Sequence, residues 1–147
     1  MAEFVEGADG ETVLIGYLRN LMGQQPGFES VEVLGAMPSS SPDYEPPAEA
    51  VTVRLTGGTP RDVLVDDLQL TITAWAGGPG EDVRASDICR RTAGLIRAAE
   101  RLGYMGATVC TSVRVLSLPY MDPDPITSRA RYSATFVVSM RGQVVRT

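Results

Sequence analysis

The chain has 147 residues, 44% hydrophobic and 21% charged, a composition that fits one globular domain and excludes a disordered or fibrous chain. Its 13 basic residues, all arginine, are outnumbered by 18 acidic ones, and a net charge of -5 without a basic run argues against a surface for gripping phosphates. Histidine is absent, which removes the commonest general base and metal ligand, and no apolar stretch reaches the ~20 residues of a membrane helix.

The acidic start, Met1 to Glu6, lacks the basic flank and apolar run of a signal peptide, so a soluble, intracellular protein is expected. From Thr12 to Met22, Leu14, Tyr17, Leu18 and Leu21 recur at helical spacing; Asp9 is placed to cap this helix, and Gly23 with Pro26 to end it. Val31 to Leu34 reads as a short strand. The Pro- and Ser-rich stretch from Met37 to Pro47 reads as a long loop, a feature that compact domains keep mainly for function. Val51, Val53 and Leu55 alternate with polar residues in a strand expected to stop at Gly57-Gly58. A further strand, Leu68 to Trp75, ends at the glycine-rich run 76–80.

The longest helix is expected from Asp82 to Leu102, with a stripe of Ala85, Ile88, Cys89, Thr92, Leu95, Ile96, Ala99 and Leu102. Asp87 and Arg91 stand at i,i+4, and Gly103 suits a left-handed cap. Two alternating segments, Val109 to Leu116 and Tyr132 to Met140, complete the strands, with Pro119 to Pro125 as a rigid turn between them. The expected order is helix, three strands, helix, two strands. That order suits an α+β domain over residues 1–147: one mainly antiparallel or mixed sheet of about four to five strands, with two helices packed on it.

No constellation for catalysis emerges. Gly77-Gly78-Pro79-Gly80 sits where phosphate loops sit, but without a following Lys or either glycine spacing it reads as a flexible turn. Asp122 and Asp124 carry carboxylates suited to a hard cation, yet lack the further positions of a calcium loop. Asp62, Asp66 and Asp67 read as solvated turn residues within reach of Arg54 and Arg61. Ser39 to Ser41 have neither His nor Lys to activate them. Cys89 and Cys110 lie among apolar neighbours, far apart in sequence, and read as reduced core residues. No catalytic, cofactor-binding or metal residue is therefore assigned, and the chain is read as a non-enzyme. Trp75 has two readings, packing under the long helix or marking a contact surface.

Two segments carry a resemblance. Arg61 to Ala76 (RDVLVDDLQLTITAWA), a strand ending in Trp-Ala ahead of the Ala- and Arg-rich helix, resembles a run in the tail-terminator and head–tail joining proteins of long non-contractile-tailed phages. Met121 to Phe136 (MDPDPITSRARYSATF) is similar to that family's Asp-Pro loop, Arg-Tyr pair and last strand. The resemblance implies a structural virion subunit, formed in the host cytoplasm, that closes into a ring, commonly six-fold, on the last ring of tail-tube protein. Such a ring ends tube polymerisation and presents a surface to the head connector. Genomic DNA would pass through its lumen without specific binding, and no membrane would be involved; the acidic balance adds the expectation that negative side chains line the hole.

Contacts are expected on the loop from Met37 to Pro47, the turn from Pro119 to Ser128 and the tail from Gly142 to Thr147. The named candidates are Met37, Ser40, Tyr44, Trp75, Tyr120, Asp122, Asp124, Arg129, Arg131 and Arg146. Two alternatives stand beside this reading. One is another neck, head-closure or minor tail protein of the virion, and the other is a small ligand-binding or regulatory α+β domain.

Overall fold

The computed structural model describes residues 2–38 and 45–146. Among them the elements run β1 (Glu3–Glu6), α1 (Gly10–Met22), β2 (Glu32–Leu34), β3 (Ala50–Pro60), β4 (Val65–Trp75), α2 (Asp82–Leu102), β5 (Tyr104–Met105), β6 (Thr108–Met121), β7 (Arg131–Arg141) and β8 (Gln143–Arg146). Six strands form a curled sheet in the order β2-β3-β4-β7-β6-β5, antiparallel except for the β2–β3 pair, and β1 pairs with β8 in a separate ribbon. This corrects the expected single sheet of about four to five strands and its order of elements.

The missed strands are short. β1 and β8 have 4 residues each and β5 only 2, too few for a period of two to stand out, and they exist because a partner strand lies alongside. Three strands are also longer than expected, and β4, which begins at Val65, takes in Asp66 and Asp67, expected as turn residues. β3 does not stop at Gly57-Gly58; it passes through them, with a bulge between Leu55 and Gly57, to Pro60. β6 runs through Pro119 to Met121 because a proline can sit in the outermost long strand, where no further ladder needs its N–H.

Gly58 adopts φ 155°, and a Cβ there would lie 2.6 Å from the Asp67 carbonyl oxygen of β4. The obstacle is backbone, so it cannot swing aside. Gly58→Ala is expected to destabilise the protein by about 2 kcal/mol or more, seen as a lower urea midpoint at unchanged slope.

One face of the sheet carries the core. Leu70, Ile72 and Ala74 of β4 and Ala134, Phe136, Val138 and Met140 of β7 are buried at every second position. Leu14, Leu18 and Met22 of α1 and Ile88, Cys89, Thr92, Ile96 and Ala99 of α2 close over them. The Tyr17 hydroxyl donates to the Leu95 carbonyl at 2.5 Å and ties α1 to α2. The other face is lined by hydroxyls that pair across strands: Thr71 with Thr135 and Thr73 with Ser133, each at 3.1 Å, and Ser112 with Ser139 at 2.8 Å. β6 shifts register against β7 at three places, and such bulges add twist and curl.

Both helices have chemical boundaries. Asp9 accepts from the Thr12 N–H at 3.2 Å, and Gly103 at φ 77° donates to the Ala99 carbonyl. Two expectations about α2 are corrected. Asp87 pairs with Arg90 one position nearer, while Arg91 stacks on the Phe28 ring at 4.7 Å and donates to the Gln25 side chain. Leu102, assigned to the buried stripe, is 62% exposed because the helix ends over the sheet margin. Arg61 reaches Asp67 at 3.2 Å; Arg54 makes no ion pair among the described residues.

Cys89 and Cys110 are buried and free, and burial pushes the Cys89 thiol up to about 12. A raised thiol pKa leaves almost no thiolate near neutrality. Native protein at pH 8 is therefore expected to resist a disulfide reagent at Cys89 on the timescale of minutes, and unfolded protein to titrate two thiols; rapid native labelling of Cys89 would contradict this burial.

Candidate functional site

Trp75 ends β4, directly opposite Arg131 at the start of β7. Its ring lies 5.0 Å from the Arg131 guanidinium and 5.3 Å from that of Arg129, and its Nε1–H donates to the Thr52 hydroxyl at 3.2 Å. Trp75 thus sits half-buried on the hydroxyl-lined side of the sheet, away from the helices, so the reading that packs it under the long helix is corrected.

Each arginine is itself held. Arg129 donates from Nε to the Ala76 carbonyl at 3.1 Å, and from its terminal nitrogen to the carbonyls of Pro47 at 3.0 Å and Ala48 at 2.8 Å. One planar fork therefore ties together the end of β4, the segment before β3 and the turn before β7. Arg131 donates to the Asp122 carbonyl at 2.7 Å and pairs with the Asp122 carboxylate at 3.3 Å, which also accepts from the Ser133 hydroxyl at 3.0 Å.

Asp124 organises the turn. Its carboxylate accepts from the Ile126 and Thr127 N–H groups and the Thr127 hydroxyl, and that hydroxyl contact chiefly lowers its pKa below the usual carboxylate range. The turn closes with Ser128 in the left-handed region at φ 58°. Asp122 and Asp124 are thus occupied by Arg131 and by the turn. Among the described residues, no group of three or more His, Cys, Asp or Glu is placed to hold a metal ion.

Seven of the ten residues singled out from the sequence therefore gather at one end of the sheet. Met37, Trp75, Asp124 and Arg129 line an open cleft of about 650 Å³ together with Pro46 and Pro47. Met37 also shares a smaller cleft with Trp75 and Arg131. Asp122 joins through Arg131, and Tyr120 pairs across the ladder with Ser133. Arg146 lies elsewhere. It pairs with Glu3 at 2.9 Å in the terminal ribbon, which adjoins the opposite end of the sheet through the Gly142 N–H to the Leu64 carbonyl. Ser40 and Tyr44 fall outside the described residues.

The outer half of β6 is the part that sequence reasoning missed. Leu116, Leu118, Tyr120 and Met121 are exposed, with Leu118 at 64%, and Ile126 follows in the turn at 90%. The signal was present as Leu116, Leu118 and Tyr120 at every second position, but the prolines at 119 and 123 read as a turn. Side chains from the helices seal the sheet's open edges elsewhere. Glu11 accepts from the Leu55 N–H at 2.8 Å, Glu100 from the Val113 N–H at 3.0 Å, and Arg19 donates to the Val33 carbonyl at 3.0 Å. Among the described residues no helix side chain reaches the β6 backbone between Leu116 and Met121, where the Ser117 hydroxyl donates to the neighbouring Leu118 carbonyl at 3.1 Å.

No family model and no curated protein matches this chain. What the site offers is therefore argued from its own chemistry: an aromatic ring clasped by guanidinium groups, beside an exposed apolar strand. These are features of contact surfaces, since aromatic and arginine side chains dominate the energetics of protein interfaces. Among the described residues no helix is long and apolar enough to cross a membrane.

Proposed function

We propose that this chain is a structural virion protein whose copies form a ring, commonly six-fold, that caps a phage tail tube, ends its polymerisation and provides the surface for joining the head. The observation that carries the reading is the apolar outer half of β6, with Leu116, Leu118, Tyr120 and Met121 exposed on the outermost long strand of the sheet. Exposed apolar side chains gathered in one stretch mark a contact surface, which a subunit presents to a neighbour. The Trp-Ala strand end and the Asp-Pro loop support the same reading, because the structure joins these two separate segments at one site through Trp75, Arg129 and Arg131. In this reading the chain is not an enzyme. Its partners are further copies of itself, the tube protein and the connector, and DNA passes through the lumen unread.

The deciding experiment is electron microscopy of lysates from a phage lacking the gene. Overlong, headless tails beside filled heads are expected. Tails of normal length that fail to join heads would assign the chain to the neck instead, and intact infectious particles would refute both assignments.

The 650 Å³ cleft favours a second reading, a small-ligand domain whose ligand lies against Trp75 and the prolines. Its test is a thermal-shift screen against metabolites read beside Trp75 fluorescence. A ligand that moves both would support it, and a screen without such a ligand would remove it.

A further inference from the structure

Five ion pairs tie up ten charged residues among those described, and among the charges left over two groups of opposite sign stand at opposite margins of the sheet. Near the β2 margin, Glu32 and Glu81 are exposed and have no ion-pair partner among the described residues. With Glu49 they line a cleft of about 330 Å³. Glu49 is already neutralised by Arg84 at 2.6 Å, so the cleft keeps two uncompensated carboxylates. Across the sheet, at the β5–β6 margin, Arg97, Arg101 and Arg114 are exposed and likewise unpaired among the described residues. Arg97 and Arg101 stand one turn apart on α2. Glu100, between them, spends its carboxylate on the Val113 N–H of β6, next to Arg114, so three arginines and one acid share a margin that stays net basic.

The opposed groups have a physical consequence. An ordinary solvated surface intersperses charges, and like charges left together repel. Here each margin finds its complement on the opposite margin of an identical chain. We infer that the acidic cleft of Glu32 and Glu81 receives the Arg97, Arg101 and Arg114 margin of a second copy, head to tail. The contact is heterologous, so each copy keeps one free margin of each sign and the association repeats until it closes. Leu102, Tyr104 and Leu116, exposed beside the arginines, add the apolar area that ion pairs alone would lack. The closure of this series rests on the ring reading above; the pairing of the margins does not.

The test uses the full chain in sedimentation velocity and native mass spectrometry at ~100 μM, a concentration that populates micromolar complexes. Wild type is expected to associate at low salt and to weaken at least about tenfold in 0.5 M salt, where exposed pairs are screened. Arg97→Glu with Arg101→Glu makes both margins acidic, and Glu32→Arg with Glu81→Arg makes both basic. Each double variant alone is expected to be monomeric, while a mixture of the two assembles with alternating copies.

Thermal melts confirm folding, and Arg97→Gln with Arg101→Gln, expected to weaken association at least about tenfold, replaces any variant that fails to fold. Wild type that stays monomeric at low salt, reversed variants that assemble alone, or a mixture that stays apart would each overturn the inference. Rings that ignore the reversals would sink the margins and uphold the ring; mixtures that stop at open chains would uphold the margins and sink the ring.

Discussion

Arg129→Ala is expected to lower stability by about 3 kcal/mol and to change the emission of Trp75. The arginine gives hydrogen bonds to three carbonyls, those of Ala76, Pro47 and Ala48, and stacks over the only tryptophan in the chain. A hydrogen bond to a charged group contributes roughly 1.5–3 kcal/mol net, and the three are not additive because they share one side chain. The Ala48 bond is exposed, so water can replace part of it, which keeps the total well below the sum of three such bonds. For a domain of this size the change corresponds to a fall in Tm of roughly 6–12 °C. Arg129→Lys should recover less than half, because an ammonium cannot present a planar fork to carbonyls from two segments. A melt within ~2 °C of wild type with unchanged fluorescence would show that the clasp is ornamental.

Phe136→Ala carries the largest expected effect, about 4 kcal/mol. Phe136 is 1% exposed, one of the largest fully buried side chains, and sits in register between Leu70 of β4 and Val115 of β6 under both helices. Truncation removes the transfer energy of the ring and leaves a cavity that three strands cannot collapse to fill, a change worth 3–5 kcal/mol in such cores, so about 4 kcal/mol is the central figure. The neighbouring position supplies the contrast. Thr135 points to the other face and pairs with the half-buried hydroxyl of Thr71, so Thr135→Ala should cost about 0.5–1 kcal/mol. Urea unfolding of the two variants reads the alternation of β7 directly. Comparable losses would mean that the faces are not segregated as described.

The core was legible residue by residue. The helical stripe of Asp82 to Leu102 and the alternation in β4 and β7 are local patterns, because burial on one face selects apolar residues at the period of the element. The caps were legible for the same reason, since Asp9 and Gly103 satisfy orphan backbone groups within a few residues of themselves. The extent of β6 was not. Pro119 breaks a ladder only if a further strand lies outside it, and whether one does is a property of strand order, which no local window contains. The short strands β1, β5 and β8 were silent because pairing alone makes them strands.

The candidate site divides along the same line. Trp75, Asp122, Asp124, Arg129 and Arg131 stood out as residue types suited to an exposed contact, but that the Asp124 carboxylate closes its own turn through Thr127 was not read from the sequence. Their convergence was hidden, because Trp75 and Arg131 are 56 positions apart and meet through the β4–β7 register. Arg91 looked equally ready to pair with Asp87 until Phe28 and Gln25, from another segment, offered it a stack and a hydrogen bond.

By itself, then, the sequence determined which faces are buried, where the helices begin and end, and which side chains have no business in a core. These follow from hydrophobic period and backbone hydrogen bonding, and both act over a few residues. Only the tertiary structure decided that six strands share one sheet, that the termini pair in a ribbon, and that two arginines clasp Trp75. Those are consequences of register and strand order, set by contacts between residues far apart in the chain, where a shift of one residue exchanges the two faces of a strand.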